Sequence, residues 1–99
     1  MYVIINIGKI EKDVNDMKDK ILVKIVVPEV EFTFDVYLPI NKKIGTIKKK
    51  LLDAFLDETD GQFNKETVKM LDQESGIEYA NNSYLFETNI KNGSTIIFV

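Results

Sequence analysis

Apolar and polar residues alternate without error in Glu31-Phe32-Thr33-Phe34-Asp35-Val36-Tyr37-Leu38. A strand sends successive side chains to opposite faces, so Phe32, Phe34, Val36 and Leu38 share one face. Glu31, Thr33, Asp35 and Tyr37 share the other. The run before it, Ile21-Leu22-Val23-Lys24-Ile25-Val26-Val27, is oriented by its lysine. With Lys24 in solvent, Ile21, Val23, Ile25 and Val27 point inward. Pro28-Glu29 supplies a turn between the two runs, and together they predict a β-hairpin wetted on one side.

The period then changes. Pro39 closes the second strand, and Ile44, Ile47, Leu51, Ala54 and Phe55 recur at steps of three and four, the stripe of an amphipathic helix. Thr46 is the expected N-cap and Asp60-Gly61 the expected stop. After a polar loop, Val68-Lys69-Met70-Leu71 and Ile77-Glu78-Tyr79 predict two short strands around the turn Gln73–Gly76. Asn81–Ser83 opens an irregular stretch pinned through Leu85 and Ile90. Asn92-Gly93 turns the chain into a closing strand, Ser94–Val99. At the other end, Val3, Ile5 and Ile7 alternate weakly, which suggests an extra strand. Glu11–Lys20 is an almost wholly polar connection in which Val14 and Met17 allow one helical turn.

Two strands, one helix, then further short strands cannot build a layered parallel sheet. They predict an α+β domain at 21–99, a mixed sheet with one helix packed across it, and an N-terminal extension at 1–20. A right-handed crossover through the helix puts the last strand in the middle, parallel to the first strand of the hairpin.

Composition narrows the function. The 99 residues carry a net charge of −3, and all 13 basic residues are lysines. A nucleic-acid binder needs clustered positive charge and favours the arginine fork, so nucleic acid is not an expected partner. With no Cys and no His, the thiolate nucleophile, the zinc–thiolate site and the usual neutral-pH base are all missing. No enzyme activity, cofactor or metal is expected. The apolar run Tyr2–Ile5 is too short for a signal peptide, and nothing approaches the roughly 20 apolar residues that span a bilayer. A cytoplasmic protein without membrane insertion is the expectation.

The element order resembles the β-grasp fold of ubiquitin. Asn89-Ile90-Lys91-Asn92-Gly93-Ser94-Thr95-Ile96-Ile97-Phe98-Val99 is similar to ubiquitin's final loop and strand, and Thr46-Ile47 to its helix start. Within that superfamily, Phe34-Asp35-Val36-Tyr37-Leu38-Pro39-Ile40 leading into the helix resembles the YukD-like proteins, ubiquitin-like accessories of type VII (ESX-like) secretion systems in Gram-positive bacteria. This resemblance implies a protein-interaction module, accessory or regulatory, whose partners are secretion-machinery proteins. The alternative within the fold is a sulfur carrier or conjugated modifier. Those proteins act through a C-terminal Gly-Gly, where this sequence reads Phe98-Val99, so the carrier reading is disfavoured.

Three candidate sites remain. Asp57-Glu58-Thr59-Asp60-Gly61 fails as a calcium loop, because the register set by Gly61 puts Leu56 and Thr67 at the ligand ends. Lys48, Lys49 and Lys50 crowd the positive end of the helix, which suggests either a solvated face or a contact with an acidic partner. The preferred site is the outward sheet face. With Ile96, Phe98, Val68 and Met70 inward, Lys69, Leu71, Ile97 and Val99 turn outward as an apolar docking patch, unless the N-terminal segment covers it. The resemblance agrees, since the corresponding face of ubiquitin is its main recognition surface. Tyr2–Ile7 is expected to add to a free sheet edge, either of its own domain or of a second copy in a homodimer.

Overall fold

The computed structural model describes residues 2–6 and 19–99. Five strands and one helix follow in chain order: β1 (Tyr2–Asn6), β2 (Lys20–Val27), β3 (Phe32–Pro39), α1 (Ile44–Glu58), β4 (Met70–Asp72) and β5 (Thr95–Phe98). The sheet order is β1-β3-β2-β5-β4. β2 and β3 form the expected antiparallel hairpin, turned by a single 3-10 turn at Pro28–Val30, with Glu31 in the left-handed region. β5 lies inside the sheet, as expected parallel to β2, and antiparallel to β4 on its other side.

β1 pairs in parallel with the outer edge of β3, setting Val3 and Ile5 opposite Phe34 and Val36. The N-terminal strand therefore adds to the sheet of its own domain, which is the first of the two pairings open from the sequence. Ile7 and the turn expected around Val14 and Met17 lie outside the described residues. β2 begins at Lys20, and the Ile40 amide donates to the Asp19 carbonyl, so the sheet already holds the two residues before 21.

The inward sets behave as their alternation demands. Val23, Ile25, Val27, Phe34, Val36 and Leu38 are buried, with Ile21 and Phe32 packed against them. Ile44, Ile47, Leu51 and Phe55 bring the helix stripe down on this layer. Phe55 is the hub: it stacks on Phe34 at 4.3 Å between ring centroids and meets Phe98 edge-on at 5.2 Å. Such pairs are worth about 0.5–1.5 kcal/mol beyond their buried area.

The helix ends differ from expectation at one side only. Thr46 lies within α1, and Lys43 occupies the N-cap without a side-chain cap. The first free amides are met instead from elsewhere in the chain, Ile44 donating to the Ser83 carbonyl and Gly45 to the Asn81 carbonyl. Tertiary backbone acceptors thus replace the local hydroxyl, since buried amides need partners but not local ones. At the other end, Gly61 donates to the Leu56 carbonyl and Asp60 to that of Asp57, a Schellman closure with Asp60 and Gly61 both at positive φ. Thr59, 4% exposed, ties this end down: its hydroxyl donates to the Phe55 carbonyl and accepts from the Phe63 amide.

Candidate functional site

The helix covers one face of the sheet, and the side chains that turn away from it build the other. Across β3, β2, β5 and β4 the pairing aligns Thr33, Val26, Ile97 and Leu71 in one row. Cross-strand neighbours in such a row have Cβ atoms about 4.5–5.5 Å apart, so Val26, Ile97 and Leu71 form a continuous apolar strip. The next row pairs Asp35 with Lys24 and Lys24 with Thr95. Below the strip, Lys69 and Val99 exchange backbone hydrogen bonds, 2.7 Å from the Lys69 amide and 3.0 Å from that of Val99.

The four residues expected to form the patch therefore do come together. Leu71, Ile97 and Val99 are half-buried rather than fully exposed, and Lys69 is exposed beside them. Sequence reasoning missed Val26, also half-buried, which extends the strip onto β2, while Leu22 shares its face but lies beyond Lys24, outside the strip. The signal was present, because a solvent-facing Lys24 requires Leu22 and Val26 to share its face. β1 lies at the far edge, beyond β3, so its described residues widen the sheet instead of lying over the strip.

The lysine cluster is divided by the helix. Successive residues are 100° apart, so Lys48, Lys49 and Lys50 cannot share one face. Lys49 and Lys50 are exposed, whereas Lys48 is only 8% exposed and donates to Asn81 Oδ1 at 2.7 Å. The surface of three solvated lysines expected there is thus reduced to two.

Another feature went unread. Tyr84 and Phe86 are exposed and stacked at 5.4 Å, with the Lys43 ammonium 5.6 Å from the Tyr84 ring centre. They flank Leu85, which is fully buried, and their backbone clips onto 40–43: the Leu85 and Phe86 amides donate to the carbonyls of Lys42 and Ile40. Placing Leu85 in the core implied that its neighbours turn outward.

Two ionisable groups depart from their ordinary behaviour near the β4 turn. The Ser75 hydroxyl donates to the Asp72 carboxylate at 2.8 Å and holds its pKa down. Burial raises Tyr79 to about 12, with the Asp72 charge adding to it. Among the described residues no group of three or more acidic side chains is placed to hold a metal ion, and no helix is long and apolar enough to cross a membrane.

No protein-family model and no curated protein matches the sequence. Solved structures do. A chain of the MycP5-free ESX-5 inner membrane complex aligns over 82% of this chain at 11% identity, with a TM-score of 0.68. This chain spans only 21% of that neighbour's length. The N-terminal ubiquitin-like domain of the 4931431F19Rik protein aligns over 94% of this chain and 82% of its own length, at 17% identity and a TM-score of 0.65. A ubiquitin-like domain from Arabidopsis thaliana covers 93% of this chain and 86% of its own, at 20% identity and a TM-score of 0.60. At these identities the likeness establishes architecture: the chain has the ubiquitin-like β-grasp fold, widened by β1 at one edge.

Proposed function

We propose that this chain is a non-catalytic protein-interaction module, a YukD-like accessory or regulatory component of a Gram-positive type VII (ESX-like) secretion system, acting in the cytoplasm. The observation that carries the reading is the strip of Val26, Ile97 and Leu71 on the sheet face away from the helix, with Val99 and Lys69 at its end. A strip of half-buried aliphatic side chains rimmed by lysines has the anatomy of a docking surface, an apolar centre with a charged border. The likeness to part of an ESX-5 inner membrane complex chain supports the secretion setting, as does the resemblance of Phe34–Ile40 to the YukD-like proteins.

Affinity capture from a lysate of the source bacterium tests the reading, with the wild-type chain and the Ile97→Asp/Val99→Asp double variant as baits. Circular dichroism first establishes that the variant is folded. The expected result is recovery of the secretion ATPase or membrane components by the wild type alone. Capture of an adenylating enzyme or a sulfur donor would replace this reading with that of a carrier.

A further inference from the structure

Between the first half of α1 and the segment leading into β4 lies an open pocket of about 510 Å³. Lys48 from the helix, Lys65 and Lys69 from the segment, Thr67 and Asn81 supply its polar wall. Glu78 is the one acidic side chain among the lining residues, against three lysines. In a chain of net charge −3 this is a local reversal of sign.

Lys48 is the unusual member. It is 8% exposed, and a buried charge is costly unless paired and hydrogen-bonded. An ammonium carries three donors, and Asn81 Oδ1 takes one at 2.7 Å. Among the described residues no carboxylate forms an ion pair with Lys48, while Lys65 reaches Glu29, which does not line the pocket, at 3.2 Å. A cation held inward with donor capacity to spare matches an anionic oxygen arriving from outside. Lys69 and Val99 line this pocket and also end the apolar strip, so the two surfaces are continuous.

We propose that the pocket receives a carboxylate side chain of the protein segment that docks on the sheet face, so that the partner presents acidic and apolar side chains together. The inference rests on the docking-face reading above and adds the chemistry of the partner. Thr67 and Asn81 supply neutral donors around the carboxylate, and Lys48 and Lys69 supply its charge.

The test is an NMR titration of the full chain with an acetylated eight-residue peptide alternating leucine and glutamate. Its leucine–glutamine counterpart and sodium acetate serve as the other arms. The glutamate peptide is expected to shift the amides of Thr67, Lys69 and Asn81 together with those of Leu71 and Ile97, and the glutamine peptide only the latter pair. Lys48→Gln should weaken binding of the glutamate peptide about tenfold, the scale of one charge-assisted hydrogen bond. Lys69→Gln, at an exposed position that leaves the core untouched, should weaken it severalfold even if Lys48→Gln fails to fold.

Equal affinity for the two peptides overturns the carboxylate pocket and leaves the docking face standing. Shifts confined to the pocket do the reverse: they retain the carboxylate site and remove the docking face. Saturation of the pocket by acetate as readily as by peptide makes it a site for small free anions and overturns the peptide. Binding by neither peptide overturns the proposal.

Discussion

At Tyr79 a single hydroxyl reports on the packing around the β4 edge. The residue is 8% exposed, and its hydroxyl donates to Asn89 Oδ1 at 2.8 Å. Burial disfavours the phenolate and the nearby Asp72 carboxylate repels it, so the pKa rises from the ordinary 10.0 to about 12. The folded state thus holds the proton more tightly than the unfolded chain. The stability this contributes is complete below pH 10 and is lost as pH rises towards 12. Tyrosinate absorbance should show a component ionising at about 12, and Tyr79→Phe should remove it. Asp72→Asn should lower this pKa without bringing it to 10, because burial is the larger cause. A folded chain with no tyrosinate component at about 12 contradicts this. Residue-level legibility divides in a similar way at Lys48. Its burial was readable, since it falls four residues after Ile44 and three before Leu51, within the apolar stripe. Its partner Asn81, 33 residues later, was not, because only the tertiary fold brings the two together.

The elements were legible wherever a period was sustained. The β2–β3 hairpin and the stripe of α1 follow from alternation and from three- and four-residue steps, because burial enforces those periods on a half-buried element. The start of α1 was not legible. Thr46 is chemically a fine cap, but the loop at 81–83 supplies acceptors to the first amides, and the helix begins earlier, at Ile44. Those contacts also let α1 keep its charges against its dipole, with no acid in its first turn and no base in its last. Glu58 sits exposed in that last turn. Glu58→Lys should therefore stabilise the domain by about 0.3–1 kcal/mol at low salt, with the gain shrinking as salt is added. Urea unfolding at two ionic strengths checks both parts, and a destabilised variant counts against the dipole argument.

On the scale of the whole molecule, β1 closes the outer edge of β3, and an uncovered edge strand invites pairing with another chain. A chain shortened to begin at Asp19 should keep the order β3-β2-β5-β4 and the core, since the core described within 19–99 packs β2, β3, α1, β4 and β5 on one another. It should self-associate more strongly than the full chain in sedimentation velocity. A monomer with unchanged association behaviour would show that β1 does not guard this edge. The interior place of β5, parallel to β2, was readable from the element order, because crossover handedness leaves few alternatives, whereas the edge that β1 takes was not. The apolar strip was half readable: β5 and β4 gave Leu71, Ile97, Val99 and Lys69, whereas Val26 joins it only through the β2–β5 pairing.

The central claim is that this face, and not the exposed side of α1, meets the partner. Amide shift mapping of the full chain against the captured partner decides it most directly. Shifts are expected to concentrate at Val26, Lys69, Leu71, Ile97 and Val99, and to be lost in the folded Ile97→Asp/Val99→Asp variant. Shifts centred on Lys49 and Lys50, with the sheet face silent, would contradict it.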